Sequence, residues 1–153
     1  MTSPRPARMH ANVHLVLERN GQLLLLLRQN TGYADGLYAL VAGYVDEGQS
    51  STAAAVIEAR EEAGITVNTN DLDLVHVTHL RDDGGETRYG LFFRPRIWMG
   101  EPINLEPQYC AGLHWFAPDD LPKTMIPYVR HALTLALSGV PYSEWGFSST
   151  ADD

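Results

Sequence analysis

Cysteine is almost missing from this chain. Cys110 is the single one in 153 residues, which excludes an internal disulfide and a cysteine-built zinc site and fits a reducing cytoplasm. Long apolar runs are missing too. Even the run of leucines at residues 23–27 falls far below the roughly 20 residues a helix needs to cross a bilayer. Residues 1–9 hold arginines and prolines without the apolar core of a secretory signal, so the protein is expected to be soluble. Positive charge is scarce: 11 Lys and Arg stand against 19 Asp and Glu, for a net charge of −8. That balance disfavours nucleic acid or an anionic membrane as main partner, because both reward basic patches. A phosphate-bearing small molecule would have to arrive with a metal ion. Internal repeats and low-complexity tracts are absent.

The 44% apolar composition over this length suits one domain with a full-sized core. Residues 1–10 are expected to be a disordered leader, 11–147 the domain and 148–153 a loose tail. Residues 11–18 alternate as a strand, Asn20-Gly21 signals a hairpin, and 22–27 reads as its buried partner. Residues 37–42 form a short strand. Further strands are expected at 65–67, 72–80, 87–98 and 112–116, with a helix over 128–138 whose Val129, Leu133 and Leu137 face the core. His76 and His79 fall on opposite faces of one strand, which is wrong for chelating one ion together. The aromatic end, with Tyr142, Trp145 and Phe147, is expected to fold back over apolar surface or meet a partner.

Residues 43–65 organise the rest. A glycine-bounded loop leads into a helix carrying Glu58, Glu61 and Glu62, and Gly64 stops it. Side chains three and four apart share a helix face, so the three carboxylates lie on one stripe and repel by a few tenths of a kcal/mol per pair. A hard divalent cation would relieve this; a solvated acidic face is the plain alternative. Ser50, Ser51 or Thr52 can cap the helix, and Val56, Ala59 and Ala63 offer a narrow apolar side to a sheet.

The stretch resembles the Nudix box of the Nudix hydrolases, G-x5-E-x7-R-E-U-x-E-E-x-G-U, with U a bulky aliphatic residue. Gly43, Glu58, Glu61, Glu62, Gly64 and Ile65 match, and Ala59 is a small residue at an aliphatic position. Gln49 stands where the family has its loop glutamate, and Ile57 where it has arginine. The segments 30–36, 110–116 and 141–147 look like the MutT-like bacterial branch, so the resemblance covers nearly the whole chain.

It implies an α/β (α+β) fold, an α/β/α sandwich around a mixed sheet. The implied activity is hydrolysis of the pyrophosphate bond in a nucleoside triphosphate or another nucleoside diphosphate-X compound, with Mg²⁺ or Mn²⁺. By position, Glu58, Glu61 and Glu62 would hold the metal and do the catalytic work, with a backbone carbonyl from Ala42 or Gly43. Arg28, Tyr44 and Gln49 are the substrate-binding candidates, and Glu101 and Glu106 are candidates for a further acid from a distant loop. Tyr33, Tyr44 and Tyr128 can each stack on a base or simply pack. A homodimer is left open. The rival reading is a non-catalytic Nudix-like binder of nucleotide or protein, since Gln49 and Ile57 both weaken a metal site.

Overall fold

The computed structural model describes residues 3–148. The loose tail expected from residue 148 lies, from 149 on, outside the described residues, as do the first two residues of the expected leader. Two sheets share the core. A five-stranded mixed sheet runs β5 (Val41–Tyr44), β1 (His10–Leu15), β7 (Thr87–Pro95), β6 (Leu72–Arg81) and β9 (Tyr142–Trp145). In it β1 is antiparallel to β5 but parallel to β7, while β6 is antiparallel to β7 but parallel to β9. The second sheet is built on β3 (Gln22–Arg28). β8 (Cys110–Phe116) pairs along one edge of it, and β2 (Glu18–Arg19) and β4 (Tyr38–Ala39) divide the other.

The Asn20-Gly21 turn forms as expected, with φ of 53° and 74°, the double left-handed geometry of a two-residue hairpin loop. The hairpin itself is shorter than expected. Only β2 turns back on β3, whereas β1 belongs to the other sheet. The reason is burial: Leu15, Val16 and Leu17 are all at most 1% exposed, so this segment does not alternate but passes through the core from one sheet to the other. The expected strand at 37–42 divides in the same way at Leu40, which is 1% exposed, with β4 in one sheet and β5 in the other. Along β3, Leu23, Leu24, Leu25 and Leu26 are all buried. Each such side chain contributes about 1.5–3 kcal/mol.

Helix α1 (Ser51–Ala63) starts at Ser50, whose Oγ accepts from Ala53 N at 3.2 Å, and ends at Gly64, whose φ of 66° is left-handed. Its buried side is Ala54, Ala55, Ala59 and Ala63; Val56, expected on that side, is only partly buried. These small side chains let α1 lie close on β5 and β1. Helix α2 (Pro127–Leu137) buries Tyr128, Val129, Ala132 and Leu133 toward β6 and β9. Val13 and Gly43 face α1, while their strand neighbours Asn12 and His14 face α2. The five-stranded sheet therefore lies between the two helices.

Strand β6 holds a further departure. The register jumps between Leu74 and His76, leaving Val75 as a bulge against β7. Leu74, which strict alternation would put on the face of His76 and Thr78, is exposed while both of those are buried. The C-terminal aromatic segment is itself a strand. β9 closes the edge of β6, and buried His76 fixes it by contacting Val140 O through Nδ1 at 2.7 Å and Ser143 Oγ through Nε2 at 2.8 Å. His79, on the opposite face, stacks on Tyr89 at 4.4 Å. Among the described residues no helix is long and apolar enough to cross a membrane.

Candidate active site

The acid stripe of α1 meets the sheet where β5 passes beneath it. Glu62 Oε2 accepts from Ala42 N at 3.0 Å, which ties the last turn of the helix to β5. Glu58 lies over Gly43, so closely that a Cβ there would stand 2.2 Å from its carboxyl carbon. Only glycine leaves that space. Glu61, one turn from Glu58, is exposed. Burial, reinforced by the carboxylates of Glu61, Glu106 and Asp46, pushes the Glu58 carboxyl up to about 7. Burial also pushes Glu62 up to about 8; the Ala42 N–H and Arg28 oppose the shift, and Glu58 and Glu106 add to it.

Arg28, Thr31, Glu62, Glu106 and Tyr109 line a cavity of about 400 Å³ beside this junction. Arg28 sits at the end of β3, where Nε donates to Tyr33 O and Nη2 to Thr31 Oγ1, both at 3.0 Å. The loop that holds it is built by Asp35, whose carboxylate accepts from Thr31 N and Gly32 N at 3.0 Å. Of the two loop acids, Glu106 joins the site. Its carbonyl accepts from Tyr109 N at 2.9 Å and Cys110 N at 2.8 Å, and Gln29 Nε2 donates to neighbouring Pro107 O at 2.7 Å, which stitches the loop to β3. Glu101 instead pairs with Arg19 at 2.9 Å.

Gln49 is engaged locally, since Asp46 N donates to its Oε1 at 3.0 Å and closes the loop before α1. Tyr44 is exposed, its ring 5.9 Å from that of His10, and it borders a second cavity of about 250 Å³ together with Ala42 and Gly43. Among the described residues no three His, Cys, Asp or Glu side chains stand close enough to make a ready metal cage. The donors do suit a hard cation in kind. They are oxygens only, and two of them are carboxyls whose burial and mutual repulsion an ion would relieve.

A family model described as the NUDIX domain matches residues 7–135. The chain belongs to the NUDIX family. Its curated NUDIX relatives include an NAD-capped RNA hydrolase NudC of Stutzerimonas stutzeri, 28% identical over 109 residues that are 71% of this chain and 37% of that protein. Another, from Escherichia coli, is 31% identical over 98 residues, 64% of this chain and 36% of that protein. The chain thus spans little more than a third of these relatives. Among solved structures, a MutT NUDIX hydrolase from Burkholderia pseudomallei aligns with a TM-score of 0.75 at 28% identity, covering 88% of this chain and 99% of that one. A MutT protein from Methanosarcina mazei, 18% identical with a TM-score of 0.74, covers 85% of this chain and 94% of that one and bears on the fold alone.

In this NUDIX chain the fold brings Glu58, Glu62, Ala42, Gly43, Arg28 and Glu106 to one side of α1, while Gln49 stays in its own loop. Motif spacing did not reveal Asn12, His14 and Arg88, which line the second cavity. Their one signal was polarity on an alternating strand: Asn12 and His14 interleave with Val13 and Leu15.

Proposed function

We propose that this NUDIX protein hydrolyses the pyrophosphate bond of a nucleoside triphosphate, or of another nucleoside diphosphate joined to a further group, with Mg²⁺ or Mn²⁺. The observation that carries the reading is the convergence of Glu58 and Glu62 on the Ala42-Gly43 backbone beside a cavity walled by Arg28 and Glu106. In this reading Glu58, Glu61 and Glu62, with the backbone of Ala42, would hold the ion, and their oxygens suit a hard cation such as Mg²⁺. Such an ion, when bound, neutralises charge that builds on the phosphate oxygens. Arg28 grips a phosphate oxygen and orients the chain of phosphates. Glu58, less tethered than Glu62, is the group assigned to take a proton from the attacking water. Tyr44 borders the substrate, and Gln49 holds the loop that shapes the approach. The small-molecule nucleotide partner and the cytoplasmic setting inferred from the lone cysteine belong to the same reading.

The test is a ³¹P NMR screen of nucleoside triphosphates and nucleotide sugars with Mg²⁺ and with Mn²⁺. Release of phosphate, pyrophosphate or nucleoside monophosphate is expected, and Glu62→Gln should lower the rate by about 100-fold or more. Intact substrates throughout, or a rate indifferent to Glu62→Gln, would sink the proposal. Nucleotide bound without turnover would favour the binder, the reading that Ile57 and the locally engaged Gln49 support.

A further inference from the structure

The loop between β3 and β4, residues 29–37, is more tightly determined than a plain connection needs to be. Left-handed backbone recurs at every second residue, with φ of 55° at Asn30, 82° at Gly32, 52° at Ala34 and 80° at Gly36. Glycine takes this geometry freely, whereas Ala34 holds it against its own side chain. The loop also closes on itself, since Gly36 N donates to Arg28 O at 2.8 Å and Arg28 N to Leu37 O at 3.0 Å. Backbone strain persists where the surroundings over-determine it, and it gathers at functional sites.

The bonds of the loop converge on the Thr31 hydroxyl. Its oxygen accepts from Arg28 Nη2 at 3.0 Å and from Tyr33 N at 3.1 Å, which fills both lone pairs. Its one hydrogen has two acceptors in reach, Asp35 Oδ1 at 2.6 Å and Tyr33 O at 2.7 Å. The carboxylate is the stronger acceptor, and the shorter distance is that of a charge-assisted bond. Tyr33 O is already taken by Arg28 Nε at 3.0 Å. Bonds from the Thr31 hydroxyl and amide and from Gly32 N, with the nearby Arg28 cation, hold the Asp35 carboxyl below its usual value, so it is an anion at neutral pH. Asp35 therefore acts on Arg28 through a single hydroxyl.

The two bonds on Arg28 use one edge of the guanidinium, Nε and Nη2. The other edge, Nη1 with the second hydrogen of Nη2, is a fork that matches two oxygens of a phosphate. A carboxylate set directly on Arg28 would compete for that fork. Among the described residues none pairs with it. Asp35 lines neither of the two cavities that Arg28 borders, so it fixes the cation without standing in the way of a ligand.

We propose that Thr31 and Asp35 are positioning residues for the phosphate site: through the Thr31 hydroxyl, the Asp35 carboxylate locks the Arg28 guanidinium by one edge and leaves the other for a pyrophosphate in the cavity of about 400 Å³. The inference rests on the proposed function for the phosphate nature of the ligand, and it adds the two residues that orient the cation toward it.

Equilibrium titration of the full chain with methylenebisphosphonate and Mg²⁺ tests it, because this pyrophosphate analogue has a carbon bridge and is not hydrolysed. Thr31→Val and Asp35→Asn should each weaken binding about tenfold, while Thr31→Ser, which keeps the hydroxyl, should stay within about twofold of the parent. In the Arg28→Lys background, where there is no fork to orient, Thr31→Val should change affinity by less than about twofold. A second readout is the ¹⁵N–¹H signal of the Arg28 guanidinium, identified by its loss in Arg28→Lys. Exchange of its Nε hydrogen with solvent should be about tenfold or more faster in Thr31→Val than in the parent. Where circular dichroism finds Thr31→Val unfolded, Asp35→Asn takes its place in both comparisons. Full affinity in the folded variant, an equal loss in both backgrounds, an unchanged exchange rate, or no binding of the analogue to the parent overturns the inference. Nucleotide hydrolysis without this coupling would leave the proposed function standing and the inference lost. Coupled binding without hydrolysis under either metal would do the reverse.

Discussion

At the residue scale, the acids of α1 tie stability to pH. Glu58 and Glu62 have an ordinary value of 4.5 but are raised to about 7 and about 8 in the folded chain. The folded state therefore holds more protons than the unfolded one between about 4.5 and 8. Stability from these two groups is full below the lower value and is lost as pH rises through the folded values. The melting temperature of the metal-free protein should accordingly fall from pH 5 to pH 8.5, and Glu62→Gln should flatten the slope. Adding Mn²⁺ at pH 8.5 should recover the loss in the parent chain but not in Glu62→Gln. A pH-independent melting temperature in the parent would contradict the burial of these carboxyls. The two departures from the box make a second prediction at this scale. Gln49→Glu keeps an oxygen for Asp46 N and adds an anion beside Asp46, whose carboxylate acts on Glu58, and Ile57→Arg returns a cation to the helix. Together they should raise turnover by about 10 to 100-fold, the usual span for groups that support a metal site. Steady-state kinetics of the double variant checks it.

At the element scale, α1 and β5 work as one unit because small residues let them approach. Gly43→Ala would drive a methyl into the Glu58 carboxyl, which is the free end of a flexible side chain and can swing aside. The fold should survive with little change in melting temperature, while activity drops by about 10 to 100-fold as Glu58 leaves its place. Parallel thermal melts and kinetics separate these effects, and a variant with full activity would show that the position of Glu58 over Gly43 is not needed. The helix was legible in the sequence nearly to the residue, since Ser50 and Gly64 are strong local signals and the alanines between them favour helix. The bulge at Val75 was not, because a residue that opts out of the ladder does so to satisfy its partner strand rather than its own pattern.

At the scale of the whole molecule, β9 and the centre of the sheet stand or fall together. His76 is 1% exposed and depends on Val140 O and Ser143 Oγ for its ring nitrogens, so the last strand satisfies a buried group and covers the edge of β6. Ser143→Ala should cost about 1–3 kcal/mol in urea unfolding, the cost of leaving a buried partner unmatched. Truncation after Gly139 should cost more and expose the edge of β6 to association, read by light scattering. A truncated chain as stable and monomeric as the parent would deny β9 that role.

Local chemistry in the sequence determined the hairpin turn, the capped acid helix and the box that identifies the family. These depend on neighbours a few residues apart, where φ preferences, caps and periodicity act. Which strands share a sheet was decided elsewhere, by the crossings at Leu15 to Leu17 and at Leu40, where continuous burial outweighs alternation. The same holds for the partners of the acids. Glu106 was one of two equal candidates until the stitched loop brought it beside Arg28, and Asn12, His14 and Arg88 became a wall only when parallel pairing set β1 against β7. Distances between residues remote in the chain are fixed by packing, and packing belongs to the folded whole.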